Sequence, residues 1–453
     1  INAYISFQKR GSRIMNMIMI TAPSSGGGKT VITMGIIRAL KNRNIDVSAF
    51  KTGGDFLDTR YLSHASGKRG GNTDIHLLGK QGIRYSLSMN KGELGIIEGA
   101  MGYFDGMGNS YENSSFHISE LLNINSILVY TPRGEMFTAI PKIKGMVDFS
   151  NNRIKGIILN QVKESIYLGL KEKIEEYMGI KVLGFIPKAE ELKINSKDLG
   201  LIIDVKDKEV NNLIEDIASI VEESIDLDEL IKLCHPVDFN EFIYPSRKDI
   251  KVAIAYDEAF SFYYNENLNL LENICQVEYF SPLRDESIPQ CDFLYLGGGY
   301  PHLFKEELYK NSGMIKSIKA LVEEGGFLYA EAGGLMYLGD SIDKSPISSI
   351  IPAKSFMTDK LERFGYIEIQ LKEDCILGKK GELLKAHEFH KSFSSMEGER
   401  IFNIKKVKGS GNWECGYKYK NLLAVYPHIN FLGNMEAFHY LMNCIEEQKK
   451  QVI

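Results

Sequence analysis

Residues 17–40, MIMITAPSSGGGKTVITMGIIRAL, set an apolar run, a glycine-rich turn and a helix-patterned segment in direct succession. No other stretch restricts the fold as strongly. A near-continuous apolar run suits a strand covered on both faces. Three consecutive glycines before Lys29 and Thr30 let backbone N–H groups close on phosphate oxygens at a helix N-terminus. Ser24, Ser25, Gly26, Gly27, Gly28, Lys29 and Thr30 are therefore the expected ATP-binding residues, with the Lys29 ammonium near the β and γ phosphates and the Thr30 hydroxyl on Mg2+. The GxxxxGK[ST] pattern fails at its first position, where Pro23 stands, and Ser24 occupies the place of the lysine that marks partitioning-type ATPases.

The alternation continues. Between 15 and 235 the apolar runs DVSAFK, GELGIIEGA, SILVYT, IKGIILN and IKVLGFIP are separated by helix-patterned segments, which predicts a parallel sheet with helices on both faces. The acidic run 214–230 predicts one exposed helix, and 236–249, with prolines and mixed polarity, predicts a linker. A second α/β series fills 250–445, its later part richer in hairpin-like strands. At 453 residues the chain is too long for one ordinary core, so the expectation is two unlike α/β domains, 15–235 and 250–445.

Basic and acidic residues number 54 and 59, and no polybasic block stands out, which argues against nucleic acid or a membrane surface as partner. Cys234, Cys275, Cys291, Cys375, Cys415 and Cys444 show no CxxC or CxxH spacing, so neither zinc nor a disulfide framework is expected, and the compartment implied is the reducing cytoplasm. KRGSRIMNMIMITAPSS imitates a signal peptide, but its apolar part runs straight into the glycine loop and reads as a first core strand. Met15 or Met17 is the expected natural start, with 1–14 a tag, upstream translation or a ragged end.

Magnesium held by one hydroxyl and by phosphate needs carboxylates at strand ends. Asp55 in FKTGGDFLD and Glu98 in LGIIEGAMGYFDG lie where the second and third strands should finish, beside glycines, and are the candidate metal ligands with Thr30. In AEAGGLMYLG, at 330–339, Ala332 falls at the apex of a strand-to-helix turn that would ordinarily carry a Ser or Cys nucleophile. An ordinary buried turn of small residues fits the same letters.

Nine stretches taken in order, APSSGGGKT, AFKTGGDFLD, IIEGAMGYFDG, IKGIILNQV, YLGGGYPHLF, AEAGGLMYL, RFGYIEI, AHEFHKS and AVYPHINF, resemble the landmarks of the cobyrinate a,c-diamide synthase family, which includes the nickel-sirohydrochlorin a,c-diamide synthase. The resemblance implies an N-terminal ATP-binding amidoligase domain of the dethiobiotin-synthetase type and a C-terminal class I glutamine amidotransferase-like domain. It also implies the chemistry: ATP and Mg2+ turn side-chain carboxylates of a tetrapyrrole polycarboxylate into acyl phosphates, and ammonia from glutamine converts them to amides. Ala332 then stands where the family has its nucleophilic Cys, His428 where it has the activating His, and Gly298 and Gly299 in its oxyanion turn. His387 and His390 match a family motif with a structural or a catalytic role open. Phe56, Leu57 and Asp58 fall on the substrate side, where Phe56 replaces a Tyr, and Gly54 and Thr59 replace two prolines. The form written here would use free ammonia. A non-catalytic paralogue that binds nucleotide and tetrapyrrole, and a ligase for another acid, are the alternatives. Whether the ring is a corrinoid or a sirohydrochlorin stays open, as does a homodimer.

Overall fold

The apolar run before the glycine loop forms β1 (Arg13–Thr21) inside an eight-stranded sheet in this computed structural model, which describes residues 13–188 and 207–452. Its companions are β2 (Val47–Thr52), β3 (Gly71–Thr73), β4 (Leu94–Glu98), β5 (Asn125–Tyr130), β6 (Ile154–Asn160) and β7 (Lys181–Ile186), in the order β3-β2-β4-β1-β5-β6-β7. All these neighbours pair in parallel. The crossovers are α1 (Lys29–Asn42), α2 (Leu57–Ser66), α3 (Ile75–Met89, broken at Gly79), α4 (Ser115–Leu122), α5 (Ala139–Phe149) and α6 (Glu164–Met178). The chain leaves β1 toward β2 on one side and passes from β4 to β5 on the other. Loops therefore diverge above the carboxyl ends of β1 and β4, the place where open α/β sheets hold ligands.

Three sequence expectations need correction. Glu98 ends the fourth strand, not the third, because β3 has three residues and no apolar periodicity to announce it. The acidic run 214–230 is not one exposed helix: α7 (Asp207–Ser224) and α8 (Leu227–Lys232) are separate, and the Asp226 side chain caps the second by accepting from Glu229 N. Nor is α7 solvated all round, because Val210, Ile214, Ile217 and Val221 recur at helical spacing and join the same buried cluster as Ile32, Ile36 and Leu40 of α1. The helices approach closely at Gly35, where a Cβ would lie 2.7 Å from both Ile217 and Val221 methyls. The third is the expected linker, 236–249. Its start forms β8 (His235–Phe239), antiparallel to Arg13–Met17 of β1, with Pro236 tolerated on an edge strand.

Two compact units divide the chain, Ile1–Ile75 with Gly79–Phe242, and His76–Leu78 with Ile243–Ile453. The second is built on β9 (Lys251–Ala255), β10 (Gln276–Phe280), β11 (Phe293–Leu296) and β12 (Phe327–Glu331). Further strands follow: β13 (Ser341–Ile342), β14 (Ser345–Pro346), β15 (Ala353–Met357), β16 (Arg363–Leu371), β17 (Leu383–His390), β18 (Ser392–Met396), β19 (Phe402–Lys406), β20 (Asn412–Cys415), β21 (Tyr417–Tyr419) and β22 (Leu422–Val425). The main sheet runs β10-β9-β11-β12-β22-β21, parallel up to its antiparallel last strand. Its helices are α9 (Asn265–Ile274), α10 (Lys305–Lys310), α11 (Ser312–Glu323), α12 (Gly333–Leu338) and α13 (Met435–Val452). Tyr295, Tyr329, Phe293 and Phe431 fill its interior. All six cysteines are free thiols, and among the described residues no helix is long and apolar enough to cross a membrane.

Candidate functional site

In the first unit the chain turns from β1 into α1 through Gly26 (φ 72) and Gly28 (φ 81), a backbone that side-chain-bearing residues avoid. Gly28 is confined as well, since a Cβ there would meet the Asn160 amide nitrogen at 2.5 Å. Asn160, at the end of β6, donates to Gly27 O at 3.0 Å and to Thr131 Oγ1 at 3.2 Å, bracing the loop from the side. Lys29 Nζ curls over the loop, donating to Ser24 O at 3.0 Å and to Met101 O at 2.6 Å. Burial and the nearby Lys51 bring the Lys29 ammonium down to about 8.

Thr30 Oγ1 donates to Glu98 Oε1 at 2.7 Å, so the hydroxyl and the carboxylate expected around a metal are in direct contact. Glu98 is fully buried, and its Oε2 has no hydrogen-bond partner among the described residues. Burial raises its carboxyl above the ordinary range, with Lys51 opposing. An orphaned buried carboxylate oxygen beside a threonine hydroxyl fits Mg2+, which takes one or two carboxylates and completes its octahedron with phosphate and water. Among the described residues no three His, Cys, Asp or Glu side chains are grouped so as to hold a metal ion by themselves.

Lys51 joins the remaining acids. It is buried at the end of β2, 2.8 Å from Glu98 Oε1 and 2.6 Å from Asp58 Oδ2. Burial alone would lower this ammonium, but Asp58, Glu98 and Asp55 together hold it above its usual value. Asp55 Oδ1 accepts Leu57 N at 2.8 Å and Asp58 N at 3.2 Å, closing the first turn of α2, while burial and Asp58 push its carboxyl up to about 7. Phe56 is packed inside and Leu57 is half-buried. Thr30, Glu98 and Asp58 are thus brought together, with Lys51, absent from the sequence candidates, at the hub. A lysine one residue before the end of β2, in AFKTGGD, was the available signal, because lysine is seldom buried unless paired.

The second unit holds the elbow. Ala332 sits at φ 43, ψ −99 between β12 and α12, a strained conformation for a residue with a Cβ. It is held by Ala332 N on Val425 O at 2.7 Å and Gly334 N on Gly297 O at 3.0 Å. A Cβ on Gly333 would lie 2.8 Å from Gly299 N, and one on Gly334 would lie 2.4 Å from Leu296 O, so both glycines serve close backbone approach. His428 is buried against Gly298, where a Cβ would be 2.7 Å from its Cε1, and its Nδ1 is 3.2 Å from Glu331 Oε2. Glu331 was not among the sequence candidates.

His387 pairs with His428 through both backbone bonds, at 3.1 and 2.9 Å, and burial takes its imidazole down to about 3, so the ring is neutral. That geometry favours the structural role for His387. His390 stacks on Tyr426 at 4.3 Å and lies 3.7 Å from Glu388 Oε2.

A glycine loop beside the linked Thr30–Glu98–Lys51–Asp58 set on one sheet, and an elbow with a carboxylate-bound histidine on another, fit one class: nucleotide-dependent carbon–nitrogen ligases with a glutamine amidotransferase-type domain. Residues 18–202 match the CobQ/CobB/MinD/ParA nucleotide binding domain, and residues 251–435 match the CobB/CobQ-like glutamine amidotransferase domain. A cobyrinate a,c-diamide synthase of Clostridium tetani is 41% identical over 437 residues, covering 94% of this chain and 100% of that protein. That of Clostridium acetobutylicum is 40% identical, with 94% and 100% covered, and that of Fusobacterium nucleatum 39%, with 93% and 98%. The chain belongs to the cobyrinate a,c-diamide synthase family.

Proposed function

We propose that the chain amidates the a and c side-chain carboxylates of cobyrinate or a closely similar tetrapyrrole, using ATP and, in the form written here, free ammonia. The observation that carries this is the linked set Thr30–Glu98–Lys51–Asp58 beside the glycine loop. Relatives that bear the cobyrinate name favour that ring over sirohydrochlorin.

A carboxylate is a poor acceptor for ammonia until one oxygen becomes a leaving group. In the proposed sequence a substrate carboxylate oxygen attacks the γ-phosphorus of ATP, and the bond to ADP breaks. Ammonia then bonds to the acyl carbon, phosphate departs with the oxygen, and the nitrogen sheds a proton. Lys29 leaves its two carbonyl partners for phosphate oxygens, and backbone N–H groups of residues 24–30 cradle the chain of phosphates. Mg2+ held by Thr30 and Glu98, with Asp55 nearby, would supply positive charge against the phosphates. Lys51, fixed by two acids, keeps the carboxylate cluster from repelling the substrate's own, and Asp58 acts in turnover rather than in ATP binding.

In the second unit Ala332 occupies the nucleophile's place, so glutamine hydrolysis lacks its covalent route. The test measures ATP-dependent amide formation on cobyrinate with glutamine and with ammonium side by side. Ammonium should support turnover and glutamine should not. Robust glutamine-dependent turnover would refute the assignment of Ala332; no turnover with either donor, on corrinoid and sirohydrochlorin alike, would favour the non-catalytic paralogue.

A further inference from the structure

Glu331 immediately precedes the elbow apex and is 1% exposed. A carboxylate withdrawn from water needs donors, and it has four: Tyr329 OH at 2.9 Å and Ile429 N at 3.1 Å on Oε1, Tyr295 OH at 3.1 Å and His428 Nδ1 at 3.2 Å on Oε2. Burial, and then Glu331 itself, hold both phenols well above their usual value, so they remain O–H donors. The stretch that carries His428 is pinned from the other side too. Asn267 donates to Ile429 O at 2.8 Å and accepts from Phe431 N at 2.7 Å, and His387 holds the His428 backbone.

These contacts select between the two neutral tautomers. A carboxylate oxygen already accepting a phenol can only accept from the imidazole, so in the neutral ring Nδ1 carries the proton and Nε2 carries the lone pair. The ring edge runs from Glu331 past Cε1, which packs on Gly298, to Nε2. A buried acid serving only the packing of β11 and β12 would be satisfied by the two tyrosines and need no histidine.

We propose that Glu331 is the positioning carboxylate of the amidotransferase site, holding His428 as the Nδ1-protonated tautomer with Nε2 ready to accept a proton. The glutaminase part rests on the reading of Ala332 as the nucleophile's position. In an Ala332→Cys variant the thiol proton passes to Nε2, Sγ bonds to the glutamine amide carbon, and the proton leaves with the amine as ammonia. Water then cleaves the thioester to glutamate and returns the thiol.

Nitrogen NMR of the full-length chain, with His428 assigned among the nine histidines by His428→Gln, reads the tautomer without altering the site. Nδ1–H with an unprotonated Nε2 is expected. Glu331→Gln, whose carboxamide can donate, should shift the population toward Nε2–H. In the Ala332→Cys background Glu331→Gln should lower glutaminase kcat by about 100-fold or more with little change in KM for glutamine, and Glu331→Asp should recover part. An Nε2-protonated His428 in the unaltered chain overturns the proposal, as does equal glutaminase activity with and without Glu331→Gln. If Ala332→Cys alone hydrolyses no glutamine, the reading of the elbow fails, and the tautomer measurement still decides the role of Glu331.

Discussion

Replacing Lys51 by methionine removes one ammonium and strands two carboxylates, one fully buried and the other with a 26% exposed side chain. Breaking a buried ion pair by deleting one partner costs about 3–5 kcal/mol, because the remaining charge is left uncompensated. Two effects push toward the lower end here. Asp58 can turn to water, and Glu98, already raised by burial, can take up a proton. The expected loss is therefore about 3 kcal/mol of unfolding free energy at neutral pH. Adding Glu98→Gln should recover most of that, since it removes the fully buried carboxylate that Lys51→Met strands, yet it should not recover amidation, because the same substitution weakens the metal site. Urea unfolding of the single and double variants, read with hydrogen exchange at β2 and β4, measures the first part, and ammonium-dependent turnover the second. Lys51→Met within about 0.5 kcal/mol of the parent, or a double variant as unstable as the two losses added, would refute the reasoning.

The ammonium of Lys29 lies near 8 before nucleotide arrives, and phosphate favours its charged form, so ATP binding should take up a proton at pH 8.5 and weaken as pH rises through that value; calorimetry in buffers of different ionisation enthalpy would show no proton uptake if this is wrong. Asp55 is raised in the folded chain to about 7, so the native state binds more protons than the unfolded one between about pH 4 and 7, and stability should fall as pH rises across that window. Asp55→Asn should flatten the fall, and an unchanged slope in urea melts would count against the assigned carboxyl. Gly28→Ala combines a left-handed backbone with a 2.5 Å clash against Asn160, and should cost ATP affinity at least tenfold by calorimetry while leaving far-UV circular dichroism unaltered.

Much of the site was legible in the sequence wherever local chemistry announces itself. The glycine loop, Glu98 at the end of an apolar run and the elbow at Ala332 each combine a residue type with a backbone requirement visible in a dozen letters. Lys51, Asn160 and Glu331 were not legible, because their importance lies in partners that only strand order supplies. Lys51 meets Glu98 because β2 and β4 are neighbours although β3 intervenes in the chain, and Asn160 reaches Gly27 from a strand 133 residues further on. The acidic run near 214–230 misled for a related reason: its charges are obvious, while the apolar stripe that packs on α1 is spread over several turns.

The contact between Lys51 and Glu98 also bears on how the chain finds one fold among many. They are cross-strand partners in the pairing of β2 with β4, and Glu98 lies opposite Ile20 in the pairing of β4 with β1. Strands such as LGIIE, buried on both faces, carry little information about register, because a shift by one residue exchanges one apolar face for another. A slip here would instead turn Lys51 and Glu98 to opposite sides of the sheet and leave the Glu98 charge without its ammonium in a dry interior, at a cost comparable to much of a domain's net stability. The same pair that organises the site thus disqualifies the misaligned sheets that the surrounding apolar residues would tolerate.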